Sequence, residues 1–269
     1  MDGVSRYLAE TYNVMIINML RAWVLAFLVI LISMRKGKGV QKVAKSGNYY
    51  LQIIRGTILI SCVCIGVYSF TILGLVTSHC IISCYPLVVI TLSGPFLNEK
   101  IGWRRWVAVF IGFAGVIIII NPLSFNFDLN LLWPISLSFL LAIYTILTRK
   151  VSSSDSSETS FFWVAIMGCL VMTFIGPFFW ENIFFKDLGY LILLCILSTC
   201  GHFLLIKALE TAQASILQPF TYFQLLFASI IGILIFNDKI TETILIGGIM
   251  IVGSGVFAAW RTHVKKQGN

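Results

Sequence analysis

Long apolar runs, each close to the ~20 residues a helix needs to cross a bilayer, alternate with short polar, basic or glycine-containing segments along the whole chain. The pattern predicts spanning helices at 13–33, 57–75, 78–97, 103–121, 131–148, 160–180, 187–206, 214–236 and 242–260. An all-α integral membrane fold with nine visible helices follows. Gly112, Ala114 and Gly115 in one run, and Gly247, Gly248, Gly253 and Gly255 in another, give small faces on which neighbouring helices can approach closely.

Two stretches repeat. Asn98-Glu99-Lys100-Ile101 is echoed by Asn237-Asp238-Lys239-Ile240, and each follows a long apolar helix and precedes a small-residue one. This divides the chain into a first repeat, 1–122, with four visible helices, and a second, 131–260, with five. With the helices as predicted, one side of the membrane holds Arg35, Lys36, Lys38, Lys42, Lys45, Arg55, Lys100, Arg104, Arg105, Arg149, Lys150, Lys207, Arg261, Lys265 and Lys266. The other holds only Arg6, Lys186 and Lys239. Cytoplasmic loops carry the excess of Lys and Arg, so the first side and the C-terminus are expected inside. Glu99 then lies inside and Asp238 outside, which makes the repeats inverted. Inversion requires an odd number of helices per repeat. The expectation is therefore a ten-helix plan of two five-helix repeats whose first helix is missing, either because the recorded start is internal or because the protein is a nine-helix variant.

Composition agrees. Of 269 residues, 58% are hydrophobic and 11% charged, against about half and a quarter in a soluble domain. The net charge of +8 is accounted for by topology and needs no nucleic acid. Met1 to Asn13 is polar and the following run carries Arg21, so no cleavable signal peptide is expected. The seven cysteines fall inside apolar runs, where a thiol packs as a small hydrophobe, and a disulfide framework is not expected. His79 beside Cys80 and Cys84 is a weak metal pattern, read as ordinary packing. There is no HExxH, no GxGxxG and no P-loop, and no cluster of catalytic acids or histidines at one interface. The expectation is a non-enzyme without cofactor or metal. All eleven carboxylates map to loops or helix ends, so no midplane proton relay is visible, and exchange or gradient-driven movement is expected.

Polar groups inside apolar helices are the candidate site. Pro86 and Pro219 sit in the fourth helix of each repeat, where a freed backbone carbonyl is tolerated if it lines a cavity. Near them stand Ser83, Tyr85, Gln218, Thr221, Tyr222 and Gln224, whose burial in hydrocarbon without a partner would cost roughly 2–7 kcal/mol each. Arg21, about a dozen ångströms into its helix, is a site for a substrate carboxylate or phosphate. Tyr68, Tyr144 and Trp163 supply aromatic surface for an adenine ring or a cation. His79 and His202 read as structural or interfacial.

Gly94 to Pro122 (GPFLNEKIGWRRWVAVFIGFAGVIIIINP) resembles the end of the first repeat of the drug/metabolite transporter (DMT) superfamily, EamA type, with its acidic turn and aromatic-basic patch before a glycine-containing helix. Pro219 to Asp238 (PFTYFQLLFASIIGILIFND) resembles the corresponding part of the second repeat, and Ser5-Arg6-Tyr7-Leu8 the tail of the family's first helix. The resemblance implies ten helices, a central cavity near the bilayer midplane and alternating access. Within the superfamily the chain is most similar to S-adenosylmethionine uptake transporters of intracellular bacteria. That implies a secondary transporter moving a polar metabolite across the inner membrane, by S-adenosylmethionine uptake or exchange. The alternatives are an exporter of amino acids or other metabolites, or a non-transporting assembly protein. The implied partners are a small-molecule substrate and the lipid bilayer, with no nucleic acid; a homodimer is compatible with the sequence.

Overall fold

A helix rises about 1.5 Å per residue and the hydrocarbon layer is about 30 Å thick, so length sorts the helices that can span from those that cannot. The computed structural model describes residues 1–35, 39–97, 102–121, 128–212 and 214–267, and among these the regular structure is helical, with no strand. The helices are α1 (Asp2–Ala9), α2 (Val14–Arg35), α3 (Val40–Ala44), α4 (Tyr49–Ile82), α5 (Tyr85–Leu97), α6 (Trp103–Ile120), α7 (Leu132–Val151), α8 (Ser157–Ile175), α9 (Leu188–Thr211), α10 (Ala214–Phe236) and α11 (Glu242–Gln267). Six of the described helices are long and apolar enough to cross a membrane. Phe27, Phe110, Phe174 and Leu234 lie more than half exposed, an arrangement that suits lipid as the solvent.

At 34 residues α4 is too long for one crossing, and its backbone shows that it is two. Gly74 adopts φ 81°, ψ 167°, a conformation open essentially only to glycine. Across it, Phe70 stacks on His79 with ring centroids 4.8 Å apart, and Ser78 Oγ donates to the Ser69 carbonyl at 3.0 Å. Residues nine apart in a straight helix would be about 13 Å apart, so the chain reverses at Gly74. The gap between the predicted runs 57–75 and 78–97 lies just past this break. A second break, at Ser83–Cys84, precedes Pro86, which stands in the first turn of α5, where its missing N–H costs nothing. The carbonyl of Ile81 beside this break accepts Ser138 Oγ of α7 at 3.4 Å.

The chain divides into two compact units. The first comprises 1–68 and 147–211, with α2 packed on α8 and α9, and α1 on α9. Its core includes Leu8, Tyr12, Ile16, Ile17, Met19, Met172 and Leu194. The second comprises 69–146 and 212–269 and is built on the pairing of α6 with α11. There Gly115 and Gly247 face each other: a Cβ on either would come within 2.7 or 2.5 Å of the other's carbonyl oxygen. The small faces predicted for these helices thus meet backbone to backbone.

Several boundaries differ from expectation. α4 begins at Tyr49, before 57, so Arg55 is a fully buried helix residue and not a loop cation. α9 runs to Thr211 and takes Lys207 into its last turns. Asn98 to Ile101 lies outside the described residues, so the first member of the repeated motif has no structural counterpart to compare.

Candidate substrate site

In the first unit, Arg21 lies on α2 within an apolar run and is 5% exposed. Its Nη2 stands 3.0 Å from His202 Nε2 of α9 and 4.0 Å from Met1 Sδ. Arginine has only donors, so this contact requires the lone pair of Nε2, and His202 is neutral with its proton on Nδ1. No carboxylate is paired with Arg21 among the described residues. Arg21, His202, Asn18, Ala22, Leu59 and Gly168 are among the residues lining a cavity of about 30 Å³. Asn18 is fully buried; its Nδ2 points to Cys64 Sγ at 3.7 Å, and its Oδ1 has no hydrogen-bond partner among the described residues. Tyr68, the last residue of this unit on α4, is 41% exposed. Trp163 is fixed by a hydrogen bond from Nε1 to the Ala44 carbonyl at 3.0 Å.

Arg55 anchors a separate polar network in the same unit. It donates to Gln52 Oε1 at 2.9 Å, to Thr148 Oγ1 at 3.3 Å and to the Ser160 carbonyl. Gln52 Nε2 in turn donates to Asp155 Oδ2 at 2.6 Å. Asp155 also accepts from Ser46 Oγ and from the Gly47 amide at 2.7 Å. Desolvation works against its charge, but the hydrogen bonds from Ser46, Gly47 and Gln52 and the field of Arg55 outweigh it and hold the carboxyl below the usual range. At another junction of the unit, Tyr12 OH donates to Asp187 Oδ2 at 2.7 Å and accepts the Phe184 amide at 3.0 Å. Asp155 sits in a loop and Asp187 at the end of a short 3-10 helix, as expected of loops and helix ends, yet both are buried. Glu210 accepts the Ser157 amide at 3.1 Å and pairs with Lys207 at 2.7 Å.

In the second unit, Tyr85 hydrogen-bonds Thr221. Tyr222 is buried nearby, its hydroxyl against Gly255, where a Cβ would collide with the ring, and without a hydrogen-bond partner among the described residues. Ser83 Oγ turns back to the His79 carbonyl at 2.6 Å, which spends its donor locally. Tyr144 is buried and Gln224 exposed. α10 continues through 218 and 219; the side chains of Gln218 and Pro219 are outside the described set. Asp238 closes the α4 reversal: its Oδ2 accepts the amides of Leu75 at 2.7 Å and Val76 at 3.2 Å, the first donors after Gly74. A cavity of about 450 Å³ lined by Cys80, Leu225, Ser229, Ile244 and Gly248 is mostly apolar.

The structure thus brings Tyr85, Thr221 and Tyr222 together, and gives Arg21 two companions: Asn18, which the sequence reading passed over, and His202, which it read as structural or interfacial. Asn18 carried a signal, an amide three residues before an arginine on one helix face. His202, so distant in sequence, carried none.

The EamA-like transporter family matches the chain over residues 3–121 and again over 129–260. The S-adenosylmethionine uptake transporter of Rickettsia bellii is 26% identical over 259 residues, spanning 95% of this chain and 87% of that protein. The corresponding protein of Rickettsia prowazekii is 24% identical, over 95% and 86%. A riboflavin transporter of Vibrio cholerae is 28% identical over 184 residues, 68% of this chain and 62% of its own. One solved crystal structure has the same fold, with a TM-score of 0.69 at 11% identity over 95% of this chain and 93% of the other.

Proposed function

The chain belongs to the EamA-like transporter family, and on that premise we propose that it is a secondary transporter of the inner membrane that takes up or exchanges S-adenosylmethionine. The observation that carries this reading is end-to-end likeness. The S-adenosylmethionine uptake transporters align with nearly all of this chain and most of their own length, whereas the riboflavin transporter aligns over a part. The excess of basic residues on one side of the predicted helices supports a cytoplasmic C-terminus. On the same charge assignment, 1–122 and 131–260 are repeats of opposite orientation. A buried arginine with no salt bridge among the described residues, in an apolar helix, is the kind of group that substrate pathways retain, because it is costly to keep otherwise.

The test is uptake of labelled S-adenosylmethionine by cells expressing the chain, with insertion verified independently. Saturable uptake suppressed by excess unlabelled compound is the expected result. No uptake from properly inserted protein would overturn the assignment.

A further inference from the structure

Arg21 and Asn18 are three residues apart on α2, hence on one face, and both line the same small cavity. The two offer opposite chemistry. The guanidinium presents donors and a permanent positive charge, only part of which is used by His202. The Asn18 Oδ1 presents an acceptor that is fully buried and without a partner among the described residues. An orphaned buried acceptor is costly and is retained where something binds it. A carboxylate would satisfy Arg21 through two parallel N–H···O bonds, and an ammonium would satisfy Asn18 Oδ1. A ligand carrying both charges on a single carbon presents them at the separation of neighbouring side chains on a helix face.

We propose that the Arg21–Asn18 cavity is a subsite for the zwitterionic head group of an α-amino acid, with His202 holding the guanidinium in place when the subsite is empty. This rests on the transport reading above and sharpens it. S-adenosylmethionine ends in such a head group; riboflavin has neither a carboxylate nor an ammonium. The cavity, at about 30 Å³, suits a small polar group and not a whole metabolite, so the subsite grips one end of the substrate. Its remaining walls, Leu25, Leu59, Ile60, Val63 and Val164, are apolar. They keep water from competing for the two polar groups.

The experiment is thermal unfolding of the purified protein in detergent, titrated separately with S-adenosylmethionine, S-adenosylhomocysteine, methionine, 5′-methylthioadenosine and riboflavin. It compares the wild type with Arg21→Gln, Arg21→Lys and Asn18→Leu. The expected result is stabilisation of the wild type by the compounds that carry the head group. In the variants their apparent affinity falls about tenfold to a hundredfold, the loss of one charged hydrogen-bonding partner, while any effect of 5′-methylthioadenosine is unchanged. Asn18→Leu exchanges side chains of similar size and keeps the test decisive if the arginine variants do not fold. If S-adenosylmethionine stabilises wild type and variants alike, the subsite is overturned and the substrate assignment stands. If methionine but not S-adenosylmethionine acts through Arg21 and Asn18, the subsite stands and the assignment falls. Stabilisation by no compound bearing the head group would overturn the subsite.

Discussion

Within the unit formed by 1–68 and 147–211, distant segments are joined by ionised and amide side chains: Asp155 with Ser46, Gly47 and Gln52, Asp187 with Tyr12, and Arg55 with Gln52, Thr148 and Ser160. Within the unit formed by 69–146 and 212–269 the principal seam is instead backbone on backbone, with Gly115 against Gly247 and Gly255 beneath the Tyr222 ring. Apolar side chains gain little by leaving lipid for one another, so helix association in a bilayer depends on close packing or on polar bonds. Each unit leans mainly on a different one of these, although Asp238 also ties the Leu75 and Val76 amides within the second. A polar network holds only while every member is satisfied and charged as required. A glycine seam is indifferent to pH but tolerates no added atom.

That contrast can be broken most forcefully at Arg55. Arg55→Met would leave the Ser160 carbonyl and Gln52 Oε1 without their donor and Asp155 without its nearby cation. A loss of about 3–5 kcal/mol is expected, as for one partner removed from a buried charged network, measured by reversible unfolding in mixed micelles. Gly247→Val probes the other unit. Its side chain would press on the Gly115 carbonyl and on Ile119, with an expected cost of about 1–3 kcal/mol from overpacking. A neutral result in the same assay would show that α6 and α11 can part without loss.

Acid separates the units by mechanism. The Asp155 carboxyl is held below its usual range in the folded protein, so its contribution is fully present above the unfolded value of about 3.9 and is lost as pH falls through the lower folded value. Melting temperature should therefore fall at the acid end in wild type, and the fall should be smaller in Asp155→Asn. Gly247→Val should shift the whole curve without changing its shape. The smallest effect is expected at Tyr222, whose buried hydroxyl lacks a partner among the described residues. Tyr222→Phe should leave stability unchanged or raise it by up to about 1 kcal/mol. A drop in melting temperature would reveal a hydrogen bond to that hydroxyl.

Much of the fold was legible as periodic hydropathy. The run 214–236 coincides with α10, 103–121 with α6 to within a residue, and the gap between 57–75 and 78–97 lies just past the Gly74 reversal. The reading stopped short at cations near the ends of helices. Arg55 was placed outside the helix that contains it, as were Arg149 and Lys207. A hydropathy boundary is drawn at the first cation, yet a cation remains in a helix when partners await it. Arg149 Nη1, for example, donates to the carbonyls of Leu209 and Glu210 at 3.0 and 3.2 Å, which are orphan acceptors at the end of α9.

The candidate site divides in the same way. Arg21 was conspicuous in sequence because a charge within an apolar run is costly and local. What surrounds it was not, because partners of a buried charge are chosen by three-dimensional proximity: His202 is 181 residues away, and Asn18 matters only because its Oδ1 has no partner among the described residues. Likewise Asp238 stood out as half of a repeated motif, but that it closes the break at Gly74 could be read only from the fold. By itself the sequence determined the membrane-spanning elements, their polarity pattern and the family, since these depend on residues adjacent along one helix. Only the tertiary structure decided which buried polar groups are satisfied, because that depends on side chains the chain brings together from far apart.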